Sequence, residues 1–374
     1  MSLTAGKSFQ VYASDFHLGE GTHLADGALN LLEDFEHDDD FSAWLRALHA
    51  QFGGVRADLN LMGDIFDPLQ VRFLGELVDP PEEPAAVYKL KQIIKGHPRF
   101  FEALVWWVGC GRRIRFFIGN HDAFLAWPRV QELLQSTIAQ QEPELVEVVQ
   151  RLTYEGTYCE HGNRDTLSRL NWDELFTELP GSKQRILNMP AGTPLAVKLI
   201  NALKLQNRHA GRMARHIALY RDTLFRNWRF LWFCASQWFR TLAGVASQFW
   251  NERGRGRATR LRRAAAMLLK IIGYSFWDEV FGYSLEREAR TIVREKRVDA
   301  VIFGHTHTCL KKLIGRSWYA NTGTWSTRYA VVPARGFWGR IRTFFRPTFE
   351  RADKLTYVVT EHENGRTTDV RLEE

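Results

Sequence analysis

The chain is expected to fold as an α/β protein around a largely parallel sheet, and three observations predict this. Short apolar runs of strand length alternate with stretches of helical periodicity, in the order strand, helix, strand. The apolar runs stop abruptly at a glycine or at a side chain able to bind a metal. The carboxyl ends of such strands are where open α/β sheets bind ligands. The clearest case is Leu59-Asn60-Leu61-Met62-Gly63-Asp64-Ile65-Phe66-Asp67, where a glycine frees the backbone to turn and a carboxylate follows at once.

Taken in order, Phe9 to Ala13 reads as a strand and delivers Ser14-Asp15-Phe16-His17. Asp15 and His17 are two apart, so on extended backbone they would project to one side. Phe41, Trp44, Leu45 and Leu48 have helical spacing through Phe52 and lead back to the Leu59 strand. After a loop at Val78 to Pro84, a helical stretch runs to about Val108, with an interruption expected at Gly96 and Pro98. Arg113 to Ile118 is the third strand and ends in Gly119-Asn120-His121-Asp122. Apolar segments at Leu145 to Val149 and Thr153 to Cys159 then lead to Glu160-His161-Gly162-Asn163. Much later, a helix at Leu285 to Lys296 and a strand at Asp299 to Phe303 precede Gly304-His305-Thr306-His307. The remainder, with alternation in Trp318 to Asn321, Lys354 to Thr360 and Thr367 to Leu372 and a turn at Asn364-Gly365, is expected to be antiparallel.

The chain has 374 residues, 45% hydrophobic and 25% charged, which is ample material for a packed core. No apolar signal segment precedes the first strand, so a cytosolic location is expected. Cys110, Cys159, Cys234 and Cys309 show no paired spacing and are expected to be reduced, mostly core, thiols. The net charge of +7 is unevenly spread: Ser182 to Lys270 holds 18 Lys and Arg against Asp222 and Glu252, leaving the rest of the chain acidic.

Five strand ends thus supply carboxylates, an amide oxygen and imidazoles. That mixture suits two borderline or hard divalent ions, manganese first, with iron or zinc as alternatives, whereas an all-oxygen set would suit magnesium or calcium. Two such ions need one bridging carboxylate and can activate a water between them. The blocks Asp15-x-His17, Gly63-Asp64-x-x-Asp67, Gly119-Asn120-His121-Asp122, His161 before Gly162, and Gly304-His305-x-His307 stand in the order in which the calcineurin-like metallophosphoesterase superfamily carries them. The sequence resembles that superfamily from about Phe9 to Trp325. The resemblance implies a four-layer αββα sandwich in which Asp15, His17, Asp64 and His307 hold one ion and Asp64, Asn120, His161 and His305 the other. It makes His121 a catalytic group that meets the transition state or the leaving oxygen, assisted by Asn120, with Asp122 expected to fix its tautomer. Asp67 is expected to be a hydrogen-bond partner rather than a ligand. His23, His37, His49, His97, His209, His216 and His362 fit no block and are expected on the surface or on helices.

Residues 166–285 are expected to form a basic, Trp-rich helical insert over a core made of 1–165 and 286–374. A long gap between His161 and His305, together with Tyr319-Ala320-Asn321-Thr322-Gly323-Thr324-Trp325, resembles the UDP-2,3-diacylglucosamine diphosphatases of lipid A synthesis, whose lid receives acyl chains. Two blocks depart from that branch, which carries Gly-Asn-Arg-Asp and His-Gly-Asp where this chain has His121 and Asn163. From Trp228 to Trp250, residues such as Trp232, Trp238, Phe239 and Leu242 follow helical spacing, with Arg229, Ser236, Arg240 and Ser247 opposite. A central Arg240 argues against a membrane span, since it costs about 2.5–3.5 kcal/mol even on the insertion scale. With the Arg253 to Arg263 cluster beyond it, the pattern suits an anionic membrane surface on the cytoplasmic side and a lipid or nucleotide-lipid substrate. Three other readings stay open: a plain helical cap, a nuclease or cyclic-nucleotide phosphodiesterase whose insert binds nucleic acid, and a scaffold without chemistry. Phe337 to Arg346 is either a second surface-seeking segment or a loop.

Overall fold

A computed structural model describes residues 6–77, 82–165, 167–179, 181–190, 192–206, 285–332 and 348–374, with isolated positions 212, 229, 232, 236, 239, 336, 338, 339, 341 and 343. The strands are β1 (Lys7–Ala13), β2 (Arg56–Leu61), β3 (Ile114–Phe117), β4 (Val146–Val149), β5 (Arg151–Tyr154), β6 (Thr157–Glu160), β7 (Phe176–Glu178), β8 (Arg185–Leu187), β9 (Ala300–Phe303), β10 (Leu310–Ile314), β11 (Ser317–Asn321), β12 (Tyr329–Val331), β13 (Phe349–Arg351), β14 (Tyr357–Glu363) and β15 (Arg366–Glu373). The helices flanking the first sheet are α1 (Asp38–Phe52), α2 (Glu83–Gly96), α3 (Pro98–Gly109) and α4 (Pro128–Ile138).

Two sheets carry the architecture. One runs β15-β14-β1-β2-β3-β4 and the other β10-β11-β9-β6-β5. Within them β1, β2, β3 and β4 are mutually parallel, as are β6, β9 and β11, so the carboxyl ends of the central strands in each sheet lie side by side.

The layering follows from side-chain alternation at period two. In β1, Phe9, Val11 and Ala13 join Phe41, Leu45, Leu90, Phe100 and Leu134 from α1 to α4, while Tyr12 points the other way. In β9, Ala300 and Ile302 meet Tyr12, Met62 and Phe117 between the two sheets, whereas Val301 and Phe303 pack on Ala289 and Ile292 of the helix Glu286–Lys296. Three apolar interfaces therefore separate four layers, helix, sheet, sheet, helix, as the αββα expectation requires. At about 1.5–3 kcal/mol for each fully buried large apolar side chain, these interfaces dominate the stabilisation.

The structure corrects several boundaries. The expected strand Thr153 to Cys159 is a hairpin, β5 and β6, turning at Glu155 and Gly156, which both have positive φ. The carboxyl-terminal part is not purely antiparallel, because β11 pairs parallel with β9 as well as antiparallel with β10. The helical break is as read, with His97 between α2 and α3, and the Asn364-Gly365 turn joins β14 to β15. Of the histidines expected on the surface or on helices, His37, His97 and His362 are instead buried, each held by polar partners. Cys159 is buried, Cys110 and Cys309 only half so, and all three are free thiols.

Residues 166–285 are not wholly helical: β7 and β8 form a hairpin whose Phe176 and Leu187 pack on the first core, beside Leu170 and Trp172. The helix Asn201–Gln206 follows. Arg229, Trp232, Ser236 and Phe239 lie on helical backbone; the rest of the amphipathic stretch and the arginine cluster after it fall outside the described residues. Trp338 is on helical backbone and exposed. Among the described residues no helix is long and apolar enough to cross a membrane.

Candidate metal centre

The site is built where the parallel strands of both sheets end. Asp15 and His17 follow β1, Asp64 and Asp67 follow β2, Asn120 to Asp122 follow β3, His161 follows β6, and His305 and His307 follow β9. The loops hydrogen-bond to one another as they leave the sheets: the amides of Asp15, His17 and Leu18 donate to the carbonyls of Gly63, Asp64 and Ile65 at 3.1, 3.0 and 2.9 Å. Across the sheets, the His305 amide donates to Asp15 Oδ2 at 2.9 Å.

The backbone here is strained in a consistent way. Asp15, His17, Asp64, His305 and His307 all have left-handed φ, between 50° and 70°. Non-glycine residues rarely adopt that region, and clusters of such outliers mark functional sites. The extended backbone expected for Asp15 and His17 is therefore absent; the left-handed turns bring His17 Nε2 to 4.0 Å from Asp15 Oδ1. Phe16, between them, is fully buried and stacks on Trp325 with centroids 5.1 Å apart, which anchors the loop while its neighbours face the site.

Three sets of ligand-type atoms result, one of them His17, Asp67 and His121; the other two each fall within one of the expected ligand sets. In the first, Asp15, His17 and His307 bring their atoms within 4.8 Å of one another, with His307 Nε2 3.2 Å from both Asp15 Oδ1 and His17 Nε2. In the second, Asp64, His161 and His305 do the same, with His161 Nε2 3.2 Å from Asp64 Oδ2. His161 Nδ1 donates to the Met62 carbonyl at 2.8 Å, which turns Nε2 toward Asp64. Asp64 is nearly inaccessible, and its Oδ1 accepts the His121 amide at 2.9 Å. Gly119 is required beside it, because a Cβ there would lie 2.1 Å from Asp64 Oδ1.

His121 is half-buried and its partner is Asp67, not Asp122. Asp67 Oδ2 lies 2.9 Å from His121 Nδ1 and 3.3 Å from His17 Nδ1. Asp122 accepts instead from the backbone amides of Gly119 at 2.6 Å and Ile65 at 2.8 Å, so it holds two ligand loops together and has no free oxygen for the imidazole. Adjacency in sequence misleads because the left-handed turn at Asp64 swings Asp67 back toward the site.

Burial opposes ionisation of all these groups, and the balance is set by their neighbours. Burial alone would raise the Asp15 and Asp64 carboxyls, but His307 and His161 respectively hold each well below the usual range. His161 is pushed up to about 9, against burial, by Asp64, and His121 to about 10 by Asp67 and Asp64. His307 goes the other way: burial lowers it to about 4. Asp122 is raised to about 7 by burial and by Asp64.

Asp165 was not read from the sequence. Its Oδ2 meets His305 Nε2 at 2.9 Å, and its Oδ1 accepts the Leu167 and Ser168 amides at 2.9 and 3.0 Å. Asn163, at the position where the lipid A branch has an aspartate, donates to the Ser168 carbonyl at 3.1 Å and shapes this turn. The available signal was a carboxylate four residues beyond His161 in a turn-rich segment.

The calcineurin-like phosphoesterase family model matches residues 11–309, which is most of the chain and spans every block above. The chain belongs to the calcineurin-like phosphoesterase family. Among solved structures it is similar to a dimetal phosphatase from Danio rerio (8% identity, 98% of each chain covered, TM-score 0.34). It is also similar to the calcineurin-like phosphoesterase YfkN from Bacillus subtilis (11% identity, 98% of this chain and 90% of that one, TM-score 0.35). The phosphopantetheinyl hydrolase PptH from Mycobacterium tuberculosis follows at 12% identity, with 86% and 92% covered and a TM-score of 0.28. At such scores the family match alone decides. No curated protein matches the chain.

As a calcineurin-like phosphoesterase the protein is a phosphoric ester hydrolase, and the family depends on two metal ions. Three atoms test whether these residues fit them: Asp15 Oδ1, Asn120 Oδ1 and His161 Nε2 are buried and make no hydrogen bond. An unsatisfied buried polar atom costs about 1–3 kcal/mol. Two oxygens and one imidazole nitrogen left without a hydrogen bond are the set a borderline divalent ion would satisfy.

Proposed function

We propose that the protein hydrolyses a phosphoanhydride or phosphodiester in a lipid-linked substrate at a membrane surface, with UDP-2,3-diacylglucosamine as the most specific candidate. Asp15, His17, Asp64 and His307 would hold one divalent ion, and Asp64, Asn120, His161 and His305 the other, with Asp64 shared. Manganese suits this mixture of oxygen and imidazole donors, and iron or zinc could replace it. The three buried atoms that make no hydrogen bond carry the metal reading. When bound, the ions polarise phosphoryl oxygens and activate water.

The chain's own residues then orient and stabilise. His121, held through Nδ1 by Asp67, keeps Nε2 for a phosphoryl or leaving oxygen. Its amide, on Asp64 Oδ1, fixes the carboxylate that the two ions would share. Asp122 and Gly119 hold the loop that presents Asn120.

The lipid side of the reading rests on the insert. Trp232 and Phe239, seven residues apart on helical backbone, are 69% and 72% exposed, and the segment around them is strongly basic. Exposed aromatics beside cations suit the headgroup region of an anionic bilayer, where each nearby cation contributes about 1 kcal/mol. Peripheral attachment to the cytoplasmic membrane face follows from this reading.

The test is hydrolysis by the purified full chain with manganese. UDP-2,3-diacylglucosamine in anionic vesicles should turn over, and W232E/F239E should lower both vesicle binding and lipid turnover at least tenfold. Degradation of single- or double-stranded DNA or of cyclic nucleotides, with the lipid substrate untouched, would replace this reading by the nuclease or general phosphodiesterase one.

A further inference from the structure

The turn Pro68–Gln70, directly after Asp67, is gripped by the insert. From the helix Asn201–Gln206, Asn201 Nδ2 donates to the Leu69 carbonyl at 2.7 Å. Lys204 Nζ donates to the Leu32 carbonyl at 3.1 Å and to Asp34 Oδ2. The Arg212 guanidinium approaches the other Asp34 oxygen at 3.4 Å. Lys204 and Arg212 are both only 2% exposed, a costly location for two cations unless carboxylates answer them.

Gln70 joins this ion cluster to the metal centre. Its Nε2 lies 2.9 Å from Asp34 Oδ2 and 2.6 Å from Asp67 Oδ2, so one amide nitrogen directs its two protons at two buried carboxylates. The orientation is forced: a flipped amide would set its oxygen between two acceptors. Asp67 Oδ2 is the same oxygen that meets His121 and His17. A continuous chain thus runs from Lys204 through Asp34, Gln70 and Asp67, all buried, to the half-buried His121.

We propose that Gln70 and Lys204 are positioning residues for His121, so that the root of the insert is part of the phosphoesterase machinery and not a detachable cover. Lys204 and Gln70 share Asp34 Oδ2, while Arg212 faces the other oxygen; without Lys204, that Oδ2 draws on Gln70 alone, the amide shifts away from Asp67, and the imidazole loses its fixed aim. The proposal rests on the catalytic placing of His121 given above.

Near-isosteric changes test it, since they keep the buried volume and remove only the polar head. With full-length protein, manganese and a small aryl phosphodiester, Q70M and K204M should each lower kcat at least tenfold with KM within about twofold, and K204R should restore most of the loss. The double variant Q70M/K204M should be no worse than the poorer single one, because both act through one chain. Losses that multiply, or a K204M enzyme with unchanged kcat, would overturn it. Without metal, 15N-histidine labelling gives a second readout, the His121 Nδ1–H resonance, which should move in Q70M and K204M. If the wild type hydrolyses no phosphoester while this resonance still moves, the catalytic reading has failed and the positioning stands. If hydrolysis proceeds and neither kcat nor the resonance changes, the positioning has failed.

Discussion

One oxygen of Asp67 lies 2.9 Å from His121 Nδ1, although the nearer carboxylate in sequence, Asp122, is turned to the backbone amides of Gly119 and Ile65. The two aspartates therefore do different work, and exchanging either for its amide separates them.

Asp67→Asn leaves the fold intact but misorients two imidazoles, so kcat should fall about 10–100-fold, the usual effect of losing a carboxylate behind a ligating or catalytic histidine. Asp122→Asn should instead appear first in stability, by about 1–3 kcal/mol, because a buried acceptor of two amides is weakened. Calorimetry and steady-state kinetics on both variants check this. A D67N enzyme with full kcat would remove Asp67 from the site's working parts.

Added manganese should raise the unfolding temperature of the wild type, since ions binding only the folded state contribute RT ln(1 + [L]/Kd), about 2.7 kcal/mol at a hundredfold excess over Kd. Asp64→Asn should abolish most of that shift, and a chelator should reverse it. Equal shifts in D64N and wild type, measured by scanning calorimetry, would show that Asp64 holds no ion.

Gly119→Ala should be far more damaging than its size implies. The added Cβ falls 2.1 Å from Asp64 Oδ1, so the carboxylate must move by about an ångström, and displacements of that order cost up to about 10²-fold in rate. Kinetics of G119A beside Gly54→Ala, where a Cβ meets nothing within 4 Å, provides the comparison.

His97 gives a pH signature remote from the site. Burial would lower its pKa, but Glu33 at 3.3 Å and Asp38 at 3.1 Å raise it to about 10, against 6.5 unperturbed. A raised folded-state pKa means the stabilisation is complete below about pH 6.5 and disappears as pH climbs through about 10. His97→Gln should thus be less stable than wild type by about 1.5–3 kcal/mol at pH 6, in line with charge-assisted hydrogen bonds, with the gap narrowing by pH 10. Denaturant melts at the two pH values measure it; a gap that widens with pH would contradict the assignment.

Much of this was legible in the sequence because strand ends announce themselves. An apolar run stopping at Gly63-Asp64 or Gly304-His305 encodes both the strand and the polar side chain at its end, and the parallel order brings those ends together. What stayed hidden depends on distance in space. Asp165 meets His305 from 140 residues away, and only its place in the turn-rich segment after His161 marks it. The choice between Asp67 and Asp122 was made by backbone at positive φ, which no periodicity reports. β10 escaped notice because Lys311 and Lys312 are exposed on an edge strand, where charge is common and alternation weak. His37, His97 and His362 look like surface residues until their carboxylate, hydroxyl and carbonyl partners are seen.

The side chains around the metal centre are drawn from both sheets: Asp15, Asp64 and Asn120 from one, His161, His305 and His307 from the other. Cations lodged among them would rivet the sandwich through its middle, at the edge of the small interface that Tyr12, Met62, Phe117, Ile302 and their apolar neighbours otherwise close. Starving the protein of metal should then loosen the seam between the halves before either half unravels, with amide exchange quickening in β6 and β9 while α1 and α3 remain protected.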